Sequence, residues 1–405
     1  MTTVVIAPSN VANVPESGGH FWVYMQYVLG LRDLGCDVYW LEQLMESGSA
    51  SRDQFCVRLF LERMERFGLG GKVILHRRNG DFPPIQASGG LTLAGRDADS
   101  ACARADLLLN FSYDIDPRLL SQFRKSALID IDPGLLQFWM SRGQLEVADH
   151  DLYLSTGETV GTPGALFPDC GITWHRIQPV VSVRNWPMVY RPEARSLTTI
   201  SGWWGDEWIM DGAEIYENNK RVSFMQFAEL ARLTSQSLEL SACLGDVDTR
   251  ETGKEQVPVE ENRPPSAEYP GDAVDRSILE AHGWTVRHAS EVSSNPEDYR
   301  CYIQESRGEF SCAKPSCMKF QNAWISDRSL CYLASGKPVI VQHTGPSDRL
   351  PDAEGMFRFG TMDEAVAAID AMNSDYEHHC LAARALAETH FDAEKVLPLL
   401  LNLAL

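Results

Sequence analysis

Short apolar segments with strand character alternate with helix-period segments along this chain, and the alternation runs twice. Residues 4–8 (Val-Val-Ile-Ala-Pro) read as a buried strand. A loop ends in Ser17-Gly18-Gly19-His20, and residues 21–34 carry apolar side chains at helical spacing up to Gly35. Residues 37–42 are a second strand. Strand, glycine loop, helix, strand is the opening unit of a doubly wound parallel sheet. Further strands follow at 106–110, 127–130 and 152–156, with a helix at 54–67.

Pro179, Pro187 and Pro192 interrupt this pattern, and a second series begins beyond them. It has strands at 196–201, 238–244, 284–288 and 338–342. Helices fall at 223–235, 296–303, 326–335, 363–373 and 376–389, the one at 296–303 leads into a further strand, and Glu309 reads as an exposed loop carboxylate where it does not face a ligand. The fold class is therefore α/β, with two Rossmann-like domains facing a cleft. The expected domains are 1–185 for an acceptor and 186–390 for a nucleotide sugar, with a tail helix at 391–405 packing back toward the first domain. A polar stretch at 246–275, with Pro258, Pro264, Pro265 and Pro270, reads as a surface excursion.

The 405 residues carry 36 Lys and Arg against 56 Asp and Glu, a net charge of −20. So acidic a surface repels nucleic-acid phosphates and argues against a nucleic-acid partner. An anionic small molecule would need a local pocket of basic side chains and backbone N–H groups. The start lacks a basic n-region and no run of 18 apolar residues occurs, so the chain reads as cytoplasmic with no membrane span. Ten cysteines form no CxxC pair, and Cys312 with Cys317 has no second ligand pair after it. They read as reduced thiols, and no metal site is expected.

The segment 324–341, Trp-Ile-Ser-Asp-Arg-Ser-Leu-Cys-Tyr-Leu-Ala-Ser-Gly-Lys-Pro-Val-Ile-Val, carries the most chemistry. It describes a short helix opening with Ser326, Asp327, Arg328 and Ser329, closed by Gly-Lys-Pro, then a buried strand. A helix start exposes unsatisfied N–H groups, hydroxyls add donors and Arg328 adds a fork, so a diphosphate fits there. A plain Ser or Asp cap with a surface arginine is the alternative. In the first domain, Gly18 and Gly19 allow close approach of a ligand, and the His20 imidazole titrates near neutrality, as a general base must. Asp132, in Ile131-Asp132-Pro133-Gly134, is the rival base; otherwise it makes a turn before Pro133. No GxGxxG occurs, which counts against a dehydrogenase. Trp203 and Trp204 serve either to stack on a base or to pack.

These residues resemble the helix-then-strand signature of GT-B glycosyltransferases, and more specifically a group of bacterial family-1-like members. Ser306-Arg307-Gly308-Glu309-Phe310-Ser311, Ala313-Lys314 and Thr344-Gly345 share the likeness. It implies a hexosyltransferase-type enzyme with a nucleotide diphosphate sugar as co-substrate, no other cofactor and no metal. The acceptor is a small molecule or glycan, met through a hydroxyl or other nucleophile. It also implies donor-binding roles for Gly18, Gly19, Lys220, Glu309, Lys314, Ser326, Asp327, Arg328, Ser329, Thr344 and Gly345. Catalytic roles fall on His20, Asp132 and Lys314. Glu309 lacks the second Glu of the retaining Glu-x7-Glu pattern; Asp327 stands nearby, out of register. Retaining and inverting outcomes both stay open. An epimerase, a phosphorylase and an inactive nucleotide-sugar binder share such a fold.

Overall fold

The computed structural model describes residues 1–77, 92–93, 96–203, 208–211, 214–244, 272–352 and 354–405. Trp204, Gly205 and the proline-bearing stretch 246–271 lie outside the described residues. The chain forms two compact units. The first holds Met1–Trp186, Trp324–Leu330 and Ala387–Leu405; the second holds Pro187–Ala323 and Cys331–Leu386.

Eight parallel strands build the first unit: β1 (Thr3–Ala7), β2 (Asp37–Leu44), β3 (Val73–Arg77), β4 (Thr92–Leu93), β5 (Leu107–Asn110), β6 (Ser126–Asp130), β7 (Leu152–Ser155) and β8 (Trp174–Arg176). Their order is β4-β3-β2-β1-β5-β6-β7-β8, so the winding reverses between β1 and β5. Strands such as Val-Val-Ile and Leu-Leu-Leu are apolar on successive residues because helices cover both faces of a parallel sheet. Val5, Leu41, Ile74 and Leu108 pack on Ala98, Ala101 and Phe123. Aromatic side chains of the helix Gly18–Asp33 pack with Trp40 and Phe111.

The tail helix Ala393–Ala404 crosses the helix Gly18–Asp33 where the latter has no side chain. A Cβ on Gly30 would stand 2.4 Å from Ala393 Cβ and 2.7 Å from Leu397 Cδ1. Val181 pins the approach, donating to Phe391 O at 2.8 Å and accepting from Ala393 N at 3.0 Å. Overpacking such a contact costs about 1–3 kcal/mol. Gly30→Val is therefore expected to lower the unfolding free energy measured in urea by that amount, and a value equal to wild type would contradict a tight crossing.

The second unit has a six-stranded parallel sheet of β9 (Ser196–Ser201), β12 (Ser237–Ala242), β13 (Thr285–His288), β14 (Gly308–Ser311), β15 (Val339–Gln342) and β16 (Met356–Phe359). Its order is β13-β12-β9-β14-β15-β16, reversing between β9 and β14. A separate antiparallel hairpin joins β10 (Trp208–Asp211) to β11 (Glu214–Glu217). The helix expected at 223–235 is two short ones, Lys220–Gln226 and Leu230–Leu233. Phe224, Phe227 and Leu230 all enter the core there, and Phe227 meets Phe359 at 5.0 Å. Trp203 is fully buried in this core beside Phe224 and donates its indole N–H to Asp275 at 2.9 Å, so it packs.

Candidate functional site

In an open α/β sheet, ligands bind outside the carboxyl ends of the strands where the winding reverses. In the first unit that place is the exit of β1 and β5. Residues 8–17 leave β1 there and are tied down by β2: Glu42 accepts from Ala12 N at 2.9 Å, and Asn13 donates to Gln43 O at 2.9 Å. The helix Gly18–Asp33 follows. It begins three residues earlier than the periodicity indicates, so Gly18, Gly19 and His20 form its first turn rather than a loop. Ser17 makes no side-chain cap and the first turn has no acidic residue, so the helix start keeps its positive end uncompensated by a side chain.

His20 points back at β1. Its Nε2 lies 2.6 Å from Ser9 O. A carbonyl only accepts, so Nε2 carries the hydrogen and Nδ1 holds the basic lone pair. Burial lowers the His20 pKa, only partly offset by the Ser9 carbonyl, and keeps the ring neutral near pH 7. Tyr24 meets it edge-on at 5.3 Å and is itself hydrogen-bonded to Ser9. Burial, then the charges of Glu42, Asp132 and Asp327, raise the Tyr24 pKa. Tyr27, one turn on, is buried, its hydroxyl has no hydrogen-bond partner among the described residues, and Asp327 raises its pKa after burial does. Tyr24 and Tyr27 fall within the helical stretch 21–34, where a tyrosine among apolar residues is the signal that marks them.

Asp132 follows β6, beside a buried network. Asp130 accepts from Gln137 at 2.8 Å, Ser155 at 2.7 Å, Asp132 N at 3.0 Å and Tyr113 at 3.3 Å. Burial nevertheless pushes Asp130 up to about 6, and Glu42 up to about 7. Both folded values exceed the ordinary 3.8 and 4.5. The folded chain therefore keeps protons that the unfolded chain releases, and stability falls as pH rises through that interval and levels off above it. Glu42→Gln removes its share, on the order of 2–3 kcal/mol. Urea midpoints taken between pH ~5 and ~7.5 should fall less steeply in Glu42→Gln than in wild type; equal slopes would contradict the assignment.

The segment 321–330 is shaped by an unusual backbone. Gln321 and Ala323 adopt left-handed φ values of 49° and 57°, rare for residues with side chains and frequent at functional sites. Thr344 O accepts from Ala323 N at 3.0 Å, and Gly345, at φ 135°, lies so close that a Cβ would meet Gln321 O at 2.4 Å. Thr344 and Gly345 thus back the turn that launches the helix Asp327–Ala334. At that helix start Ser326 and Asp327 are half-buried, Arg328 and Ser329 are buried, and Ser329 Oγ has no hydrogen-bond partner among the described residues. A buried hydroxyl left open on a first helical turn matches what an anion needs.

In the second unit the winding reverses at β9 and β14. Lys314 follows β14 and caps the short helix Pro315–Phe320. Ala313 N donates to Gln342 at the end of β15, and Ser316 N donates to Asn218 at 2.8 Å. Asn218 sits two residues before Lys220, the first residue of the helix Lys220–Gln226, so Lys220 and Lys314 stand on linked loops. Asn218 escaped the sequence reading because a lone Asn before a helix gives no long-range signal. Glu309 is in β14, fully buried rather than in a loop, and shares its rung with Thr198, whose hydroxyl bonds Tyr332 at 2.7 Å. Among the described residues no cluster of three or more His, Cys, Asp or Glu is placed to hold a metal ion.

Neither a family model nor a curated protein matches the chain. Solved structures do. An alpha-glucosyltransferase in complex with UDP and a 13-mer DNA matches with a TM-score of 0.58 at 11% identity, covering 100% of this chain and 99% of that one. The chain has the GT-B glycosyltransferase fold. Two further GT-B matches are Anabaena HepE in complex with UDP and glucose (TM-score 0.53, 11% identity, 100% and 99% covered) and sucrose-phosphate synthase from Thermosynechococcus elongatus (0.54, 10%, 100% and 98%). At such identity the likeness establishes the fold. No described helix of this GT-B chain is long and apolar enough to cross a membrane.

Proposed function

We propose that this chain is a cytoplasmic, metal-independent glycosyltransferase of the bacterial family-1-like group, moving a hexosyl unit from a nucleotide diphosphate sugar to an acceptor nucleophile. The supporting observation is the start of the helix Asp327–Ala334, where Arg328 and the open Ser329 hydroxyl are buried together. Ser326, Arg328 and Ser329 take diphosphate oxygens, with the helix N–H groups as further donors. Lys314 and Lys220 add charge that stabilises the leaving diphosphate, the part a divalent ion plays elsewhere. Thr344 and Gly345 act by holding the 321–323 turn. Residues 1–185 receive the acceptor and 186–390 the donor. The −20 charge argues against a nucleic-acid acceptor.

His20 Nδ1 takes the acceptor proton as the nucleophile attacks the anomeric carbon and the nucleotide diphosphate departs. A single displacement of this kind inverts the anomeric configuration. Asp132 is assigned to hold the acceptor hydroxyl. UDP is the first nucleotide to test, since the matched alpha-glucosyltransferase and HepE structures contain it. A thermal-shift panel of UDP, dTDP and GDP is expected to single out one that raises Tm with the logarithm of its concentration. No shift with any of them would remove the reading.

A further inference from the structure

The turn that ends the helix Asp327–Ala334 carries three shielded polar atoms that no described protein group answers: Lys337 Nζ, Ser335 Oγ and Arg191 Nε. Lys337 and Ser335 are 0% exposed. A second stretch of chain is held against this turn. Val189 N donates to Ser335 O at 3.0 Å, and a Cβ on Gly336 would lie 2.6 Å from Met188 Cγ, so Arg191 follows directly from the contact. Arg384 donates to Ala334 O at 2.6 Å, and the Arg307 guanidinium lies 3.9 Å over the ring of Tyr376, which stacks on Tyr190 at 6.0 Å. Four basic residues thus gather in a chain with 36 bases against 56 acids.

This place is at the beginning of β15, whereas Lys314 and Thr344 follow the carboxyl ends of β14 and β15. It is therefore at the opposite end of the strands from Lys314 and Thr344. A buried ammonium without a counter-charge is strongly disfavoured. Burial pushes Lys337 down to about 8, which still leaves it mainly protonated at pH 7. The acids within reach are poor partners. Glu193 stands 3.5 Å from Arg191 with a side chain 68% exposed, Cys380 is a buried thiol whose pKa burial raises, and Glu377 and Asp375 face Tyr190.

We propose that Lys337, Ser335 and Arg191 bind one phosphate group, free or as a small monoester. Two cations and a hydroxyl on adjoining stretches of chain supply the donors that a tetrahedral oxyanion accepts. Arg191, with 44% of its side chain exposed, is the entrance, and its loose pair with Glu193 is the contact the phosphate replaces. The assignment is independent of the donor reading.

Thermal shifts with inorganic phosphate and with glycerol 3-phosphate, each against sodium chloride at matched ionic strength, test it. Wild type is expected to show a saturable rise in Tm with at least one of the two, and which one identifies free anion or monoester. Arg191→Gln, a surface change that leaves the fold alone, should weaken the apparent affinity at least tenfold, and Lys337→Met should abolish the rise. Arg328→Ala should keep it. A wild-type shift no larger than that of chloride, a shift retained in both Lys337→Met and Arg191→Gln, or one lost only in Arg328→Ala would each overturn the proposal. The last result places phosphate at the donor helix and leaves that reading standing.

Discussion

Replacing His20 by alanine lowers turnover by roughly 10²–10⁴-fold, the range a positioned general base contributes, and leaves the affinity for the nucleotide unchanged within about twofold. The expectation rests on one contact. Ser9 O holds Nε2 at 2.6 Å, fixing the tautomer and leaving the basic lone pair on Nδ1. Burial depresses the pKa below the free value of 6.5. The base is thus already neutral at pH 6.5, and the acid limb of kcat/KM in wild type should fall below that pH. His20→Gln separates shape from chemistry, because it retains a side chain able to bond Ser9 O and lacks a basic nitrogen. If His20→Gln turns over at the wild-type rate, Asp132 becomes the base.

Arg328→Ala raises the nucleotide Kd by roughly ten- to a hundredfold, the loss of one charge-assisted contact worth about 1.5–3 kcal/mol. Arg328→Lys recovers only part of this, since an ammonium keeps the charge and loses the two-pronged donor geometry. The chain gives Arg328 a rigid setting. The left-handed residues Gln321 and Ala323, braced by Gly345, fix where the helix starts, and Arg328 as a residue is 9% exposed. A variant Kd within twofold of wild type would move the phosphate elsewhere.

Much of this architecture was readable from periodicity. β1, β5 and β6 carry short unbroken apolar runs beside Asp or Pro, and helices have clear stops such as Gly35 and Gly336. Strands with mixed composition were harder. β8, Trp-His-Arg, and the hairpin of β10 and β11 carry no alternation long enough to register, because they are defined by the strands beside them. The site divides the same way. Ser326, Arg328, Ser329 and His20 are proposed from residue type and position relative to an element end, and Lys314 from the family resemblance. The Ser9 carbonyl that sets the His20 tautomer, the left-handed turn at 321–323 and the Asn218 bond to Ser316 are backbone and long-range facts, with no local signature. Glu309 shows the converse. A carboxylate beside glycine reads as loop, yet strand pairing with Thr198 and Val339 buries it. In sequence Lys337 is part of a helix stop, and the cost of burying its ammonium arises from segment 188–191, which lies against the turn.

Amide hydrogen–deuterium exchange with and without saturating UDP examines the anchoring of the diphosphate most directly. Peptides spanning 324–330 are predicted to slow on binding, with those around 314–316 slowing alongside them. Slowing confined to other parts of the chain, with 324–330 exchanging as in the free protein, would contradict the assignment of that helix start to the donor.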